Sequence, residues 1–229
     1  MISIASPIFS NSIAMHIAEG FLPKTWALIW YMIFIPFFVV SMISIKKRFK
    51  EDSDSKLLFA LMAAFAFTLS SLKIPSIAGS CSHPTGMGLG AILLGPLPMI
   101  AIGTIVLILQ ALLIAHGGIT TLGANATSMA VVGPLVSYGI YRLLKKLNVN
   151  QKVSIFTAAV IGDLMTYLVT SIQLGAAFSN GDLMGSVLKF MGVFMTTQLP
   201  IAIGEGILTV IVFNLIMESK QLPLVERSL

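Results

Sequence analysis

The chain carries three histidines in 229 residues, His16, His83 and His116, so the places where they fall are informative. The first lies in Met15-His16-Ile17-Ala18-Glu19-Gly20-Phe21-Leu22-Pro23. If Met15 is the first residue of the mature chain, three nitrogens can close on one metal ion. They are the free amine of Met15, the Met15–His16 amide nitrogen after loss of its proton, and the His16 imidazole. Histidine at mature position two closes both chelate rings without strain, and such a nitrogen field suits square-planar Ni(II) or Cu(II). His83 is the natural fourth ligand, because Gly79, Pro84 and Gly86 beside it can fold a loop inward. His116 ends an apolar run, where a histidine caps the last helix carbonyls or supports the ligands from outside. Glu19 either orients His16 and draws cations to the entrance or is an ordinary exposed carboxylate. Cys81 is a soft donor, yet a lone thiol among Gly and Ser also fits a purely small residue.

The elements that must position these residues are apolar helices. Of the residues 56% are apolar and 10% charged, with a mean hydropathy of +0.95. Soluble domains carry about 45–50% and ~25%, so the composition is that of a membrane protein. The net charge is +5, and eight of the 14 basic residues cluster in two short segments, Lys46, Lys47, Arg48 and Lys50, and Arg142, Lys145, Lys146 and Lys152. That pattern reads as membrane topology, with lipid as the surrounding partner and no nucleic acid. Apolar runs cover 26–45, 57–72, 87–115, 127–144, 153–174 and 187–217. Gly95-Pro96-Leu97-Pro98 should divide the third, and Pro200 should bend or divide the last. Both basic segments belong in the cytoplasm, which requires an even number of crossings between them. An all-α bundle of seven transmembrane helices satisfies this, with the amino terminus outside and the carboxyl terminus cytoplasmic. Segments 15–23, 79–86 and 116–125, with all three histidines, then share the outer face.

Residues 1–14 resemble a weak signal peptide, with Ser12 and Ala14 as a small-x-small site but no basic n-region. Either this leader is cleaved or translation begins at Met15, and both leave 15–229 as a single membrane domain. Asp163 and Glu205 lie inside spans, where a carboxylate is costly. They read either as a proton or cation pathway or as partners of polar groups such as Asn125, Gln173 or Gln198. No Walker loop, His-Glu-x-x-His pair or Gly-x-Ser-x-Gly elbow is present.

Three stretches carry a resemblance: Met15 to Pro23, Gly79-Ser80-Cys81-Ser82-His83-Pro84-Thr85-Gly86-Met87-Gly88-Leu89-Gly90-Ala91, and Gln110 through His116-Gly117-Gly118 to Asn125. Together they resemble the cobalt/nickel CbiM/NikM family, the substrate-binding subunits of energy-coupling factor (ECF) transporters. The likeness runs over almost the whole chain after Ala14, and the pattern looks closer to the cobalt branch. The resemblance implies seven transmembrane helices, with the mature Met-His inserted into the bundle. It implies as ligands the Met15 amine, the His16 amide and imidazole nitrogens, and the His83 imidazole; from their own positions, His116, Glu19 and Asn125 are candidates to support those ligands. The protein would be no enzyme and would need no cofactor. Co(II) or Ni(II) would be its cargo, taken across the plasma membrane of a prokaryote and linked to cobalamin synthesis. Its partners would be a transmembrane coupling subunit, two ATPase subunits and a small accessory membrane subunit. The Ala60/Ala64 face resembles the alanine motif by which such subunits dock. From a different class, an intramembrane metalloenzyme could use His16, His83, His116 and Glu19 around zinc with an open position.

Overall fold

Twenty-eight consecutive residues from Lys24 to Glu51 form the first helix, α1, which runs through Pro36 and ends on the basic cluster at Arg48 and Lys50. At 1.5 Å per residue it is about 42 Å long, more than the ~30 Å of a hydrocarbon core. Its Leu28, Met32, Ile35, Val39 and Ile43 are exposed, a band that suits lipid rather than water. This computed structural model describes residues 16–51, 55–75 and 81–218. The leader, Met15 and Gly79 lie outside the described residues.

The second helix, α2 (Ser55–Ser70), is shorter. At its end Ser70 and Ser71 donate their hydroxyls back to the carbonyls of Ala66 and Phe67. Two two-residue strands, β1 (Ile74–Pro75) and β2 (Cys81–Ser82), then pair antiparallel, Ile74 opposite Ser82. Apart from this small clasp, which draws together the two ends of the segment leading to His83, the elements among the described residues are helical as expected.

The apolar run 87–115 is divided, as the Gly-Pro pattern predicts. Gly95 has φ +86°, a conformation that glycine adopts without strain, and Pro96 starts the next helix, where its missing N–H costs nothing. The result is α3 (Met87–Leu94) and α4 (Pro96–Leu113). Eight residues span only about 12 Å, so α3 by itself is shorter than a full crossing. Non-helical residues 82–86, buried throughout, lead into it. Irregular backbone at such depth survives only where protein surrounds it and meets its hydrogen bonds.

Next, α5 (Leu122–Asn125), a π-helical segment (Ala126–Val132) and α6 (Gly133–Lys146) follow without a break. This rod starts five residues earlier than the hydropathy suggests and takes Asn125 out of the loop into the helix. It is followed by α7 (Gln151–Phe178) and α8 (Leu183–Glu218), the latter undivided at Pro200. Among the described residues there are thus seven helical rods. Four of them, α1, α4, α7 and α8, are long and apolar enough to cross a membrane on their own. The protein is a multi-pass membrane protein.

The rods alternate in direction. Arg48 donates to the Leu94 carbonyl at 2.6 Å and Ser41 to that of Leu97 at 2.6 Å, tying the basic end of α1 to the α3–α4 turn. From there α4 runs to His116, and the next rod returns from Leu122 to Lys145 and Lys146. Both basic segments therefore lie opposite the histidines. Close helix approach needs small residues: a Cβ on Gly88 would stand 3.0 Å from the Ala159 Cα. The main core joins Leu58, Met87, Leu89, Met99, Ile102 and Phe213. A second cluster at the histidine end joins Ile17, Leu22, Ala124, Tyr167, Leu174 and Phe194.

Candidate metal centre

Ahead of α1, residues 16–23 fold into the bundle rather than along its surface. His16 and Ile17 are buried, and the Ile17 side chain anchors the segment in the second core cluster. Asn125 holds the backbone of Ile17 with both ends of its amide. Its Oδ1 accepts from the Ile17 N–H at 2.8 Å, and its Nδ2 donates to the Ile17 carbonyl at 3.0 Å. Thr121 adds a hydroxyl to the same carbonyl at 2.6 Å. The loop after α4 can lie this close because it is Gly-rich. Gly117 has φ +78°, and a Cβ on Gly118 would stand 2.7 Å from the Glu19 nitrogen.

His83 comes from the opposite side of the site, on the segment ahead of α3. Glu205 of α8 accepts from the Thr85 and Gly86 amides at 2.6 and 3.0 Å and from the Thr85 hydroxyl at 3.1 Å. A carboxylate at the start of a helix complements its unpaired N–H groups. The Tyr167 hydroxyl donates to the His83 carbonyl at 3.0 Å and accepts from its N–H at 3.3 Å. Gln198 donates to that carbonyl and to Asp163. The two intramembrane acids thus brace the His83 segment, Glu205 directly and Asp163 through Gln198.

His116 is placed by Ala115 at φ +48° and by its N–H, which donates to the Gln110 carbonyl at 3.0 Å. The three imidazoles meet. Ring centroids are 4.8 Å apart for His16 and His83, 4.7 Å for His16 and His116, and 5.0 Å for His83 and His116. One ring nitrogen from each lies within 4.8 Å of the other two, and all three side chains are buried.

Hydrogen bonds decide which nitrogens are free. The His83 Nδ1 lies 2.9 Å from the Pro84 carbonyl, which can only accept, so Nδ1 carries the proton and Nε2 keeps its lone pair. That Nε2 is buried without a hydrogen-bond partner, as is the Nε2 of His116. On His16, Nε2 faces the Gln110 Oε1 at 3.1 Å. The Gln110 Nε2 donates to the Ser70 hydroxyl and carbonyl at 2.9 and 3.2 Å, so its amide orientation is set from behind. Its oxygen must then accept from His16, leaving Nδ1 of His16 with the lone pair. Burial, and then the neighbouring imidazoles, hold the His16 ring well below its ordinary pKa; burial first, then His83, takes His116 down to about 3. Neutral imidazoles with inward lone pairs are what a divalent cation needs.

Of the residues singled out in the sequence, His16, His83, His116 and Asn125 are brought together. Glu19 is not: it is exposed, its carboxylate accepts from the Thr120 N–H at 3.1 Å, and the Thr120 side chain first, then the Thr120 and Ile119 backbone, hold it below the ordinary carboxylate range. It fastens the amino-terminal segment to the loop and does not face His16, so the zinc set of three histidines and Glu19 is not assembled. Ala60 and Ala64 are exposed on α2, away from the histidines. Sequence reasoning passed over Gln110, Ser70, Tyr167 and Thr121. Gln110 and Thr121 fall within the third resembling stretch, Gln110 as a polar residue six positions before His116 in an otherwise apolar run.

The profile of the family described as "Cobalt uptake substrate-specific transmembrane region", CbiM, matches residues 16–222. The chain belongs to the CbiM family. This CbiM-family chain is 57% identical over 230 residues to the cobalt transport protein CbiM of Clostridioides difficile, covering 100% of this chain and 91% of the relative. It is 53% identical over 231 residues to that of Moorella thermoacetica, covering 100% and 88%. Among solved structures, a truncated transition metal transporter superposes with a TM-score of 0.80 at 30% identity, covering 89% of this chain and 99% of the other. Family membership implies a transport subunit of a multi-subunit complex rather than an enzyme.

Proposed function

We propose that this chain captures Co(II), with Ni(II) as the competing ion, for an importer of the energy-coupling factor class. Its mature amino terminus would be Met15, on the outer face of a prokaryotic plasma membrane. The observation that carries this reading is the inserted segment itself. Asn125 and Thr121 hold Ile17 so that His16 stands beside His83, one residue after the nitrogen that would begin the chelate. The ion would be held by the Met15 amine, the His16 amide nitrogen and Nδ1, and the His83 Nε2. Four nitrogens in a plane suit Ni(II) and low-spin Co(II) alike. Binding releases protons from the amine and the amide, so affinity rises with pH. Energy would come from two ATPase subunits through a transmembrane coupling subunit docked on the Ala60/Ala64 face, with a small accessory membrane subunit. Cobalt for cobalamin synthesis is the use this reading favours.

The test is spectroscopic. The chain starting at Met15 should give a yellow, diamagnetic Ni(II) complex of one ion per chain, measured by visible absorption and NMR. A short Ser-Gly-Ser-Gly extension joined ahead of Met15 removes the free amine and should abolish that species. Equal planar Ni(II) binding by the extended chain would overturn the amino-terminal chelate.

A further inference from the structure

We propose that His16, His83 and His116 form a three-imidazole site that takes a tetrahedral divalent cation, Co(II) or Zn(II), without the amino-terminal amine, with His116 as the third ligand. The inference rests on the reading that the cluster receives a cation, and it gives that cluster a second coordination mode. A planar set built from the amine, the His16 amide and two imidazoles is complete with His16 and His83. It leaves His116 with no place, yet His116 is packed as close to the others as they are to each other.

His116 is not spent elsewhere. Its Nε2 is buried and has no hydrogen-bond partner, and the same is true of His83 Nε2. Two imidazole nitrogens taken out of water without a hydrogen-bond partner, side by side, are costly unless something meets them. Imidazole nitrogens bind such a cation at about 2.0–2.1 Å, which sets tetrahedral nitrogen pairs about 3.3 Å apart. The three ring nitrogens already lie within 4.8 Å of one another, so each pair closes by about 1.5 Å or less through side-chain rotation. The fourth tetrahedral position stays open for water.

This mode needs no amide deprotonation, so it is available to an ion as it arrives. Conversion to the planar set exchanges the His116 Nε2 and the bound water for the amine and amide nitrogens. Two protons leave to solvent, no electron moves, and His116 returns to its unpartnered state.

The experiment separates the two modes. The chain carrying the Ser-Gly-Ser-Gly extension ahead of Met15 is loaded with Co(II) alone and then with Zn(II) alone. It should show the intense blue absorption of tetrahedral Co(II), with one ion per chain displaced by Zn(II). In that extended chain His116→Gln and His116→Ala should each weaken Zn(II) by at least about tenfold, since losing a ligand costs no less than losing an outer partner. Melting curves and monodispersity of both variants report whether they fold. No Co(II) colour from the folded extended chain, or unchanged Zn(II) affinity in both folded His116 variants, overturns the proposal. Failure of the unextended chain to form planar Ni(II) would strike the amino-terminal chelate instead, leaving the blue Co(II) signal as a separate result.

Discussion

At the scale of single residues, the centre depends on groups that touch no metal. Gln110 is turned by Ser70 so that its oxygen takes the His16 Nε2–H, which leaves Nδ1 free. Gln110→Leu removes that acceptor and strands the buried His16 N–H. The expected cost is about 1–3 kcal/mol in stability and roughly 10–100-fold in metal affinity, read by melting of the metal-free chain and by Ni(II) titration. Nitrogen NMR of the imidazoles adds a sharper readout: His16 should change from one tautomer to a mixture, whereas a residue that only fills space would leave the tautomer alone. Protonation gives a second prediction at this scale. His116 titrates at about 3 folded and near 6.5 unfolded, and His16 is shifted in the same direction. Between those values the unfolded chain takes up protons that the folded chain refuses. The melting temperature of the metal-free protein is therefore highest above about pH 6.5 and falls as pH drops through that window. The fall should be shallower in His116→Gln, checked by melting at a series of pH values.

At the scale of elements, the short helix α3 is the unusual part. Its eight residues leave half of a crossing to irregular backbone, whose N–H groups at Thr85 and Gly86 are met by Glu205. Glu205→Gln keeps the shape but offers one acceptor oxygen where three donors converge. The melting temperature should drop by the equivalent of about 1–3 kcal/mol for the donor left unpaired. Metal affinity should fall with it, because His83 lies two residues from Thr85. Unchanged affinity in a destabilised Glu205→Gln chain would show that Glu205 supports the fold without positioning His83. The rod from Leu122 to Lys146 contributes in a different way. It starts early enough to carry Asn125 and Thr121 on its first turn, and its π-helical segment follows at once. Hydropathy does not register this start, since Thr121, Gly123 and Asn125 are not apolar although Gly123 and Asn125 are helical and buried. The amino-terminal segment covers Asn125 through its bonds to Ile17, and Tyr31 of α1 packs against Gly123.

At the scale of the whole molecule, one end of the bundle holds the histidines and the other the two basic clusters, and the flanks are apolar. On α2 the residues Leu57, Ala60, Leu61, Ala64 and Thr68 are exposed and share one face, small side chains among larger ones. Ala64→Trp fills that face. Surface changes of this kind alter stability by no more than about 0.5 kcal/mol, so the purified chain should melt as before. If the proposed coupling subunit docks on this face, its co-purification with the chain, and cobalt uptake by cells, should be lost; uptake at the parent rate would overturn docking there. Several features of this molecule were determined by the sequence alone: its membrane class, the break at Gly95, and the separation of His16, His83 and His116 from the Lys and Arg clusters. These follow from local hydropathy and charge, which each segment carries with it. The tertiary structure decided that α3 is half a crossing, that His116 joins the other two histidines, that Glu19 faces away, and that Gln110, Tyr167 and Glu205 act on the histidines. The bonds responsible join residues 94 apart for His16 and Gln110 and 120 apart for Thr85 and Glu205. Periodicity places such residues on a helix face, whereas a hydrogen bond requires them within about 3 Å, and only packing of the whole bundle sets that distance.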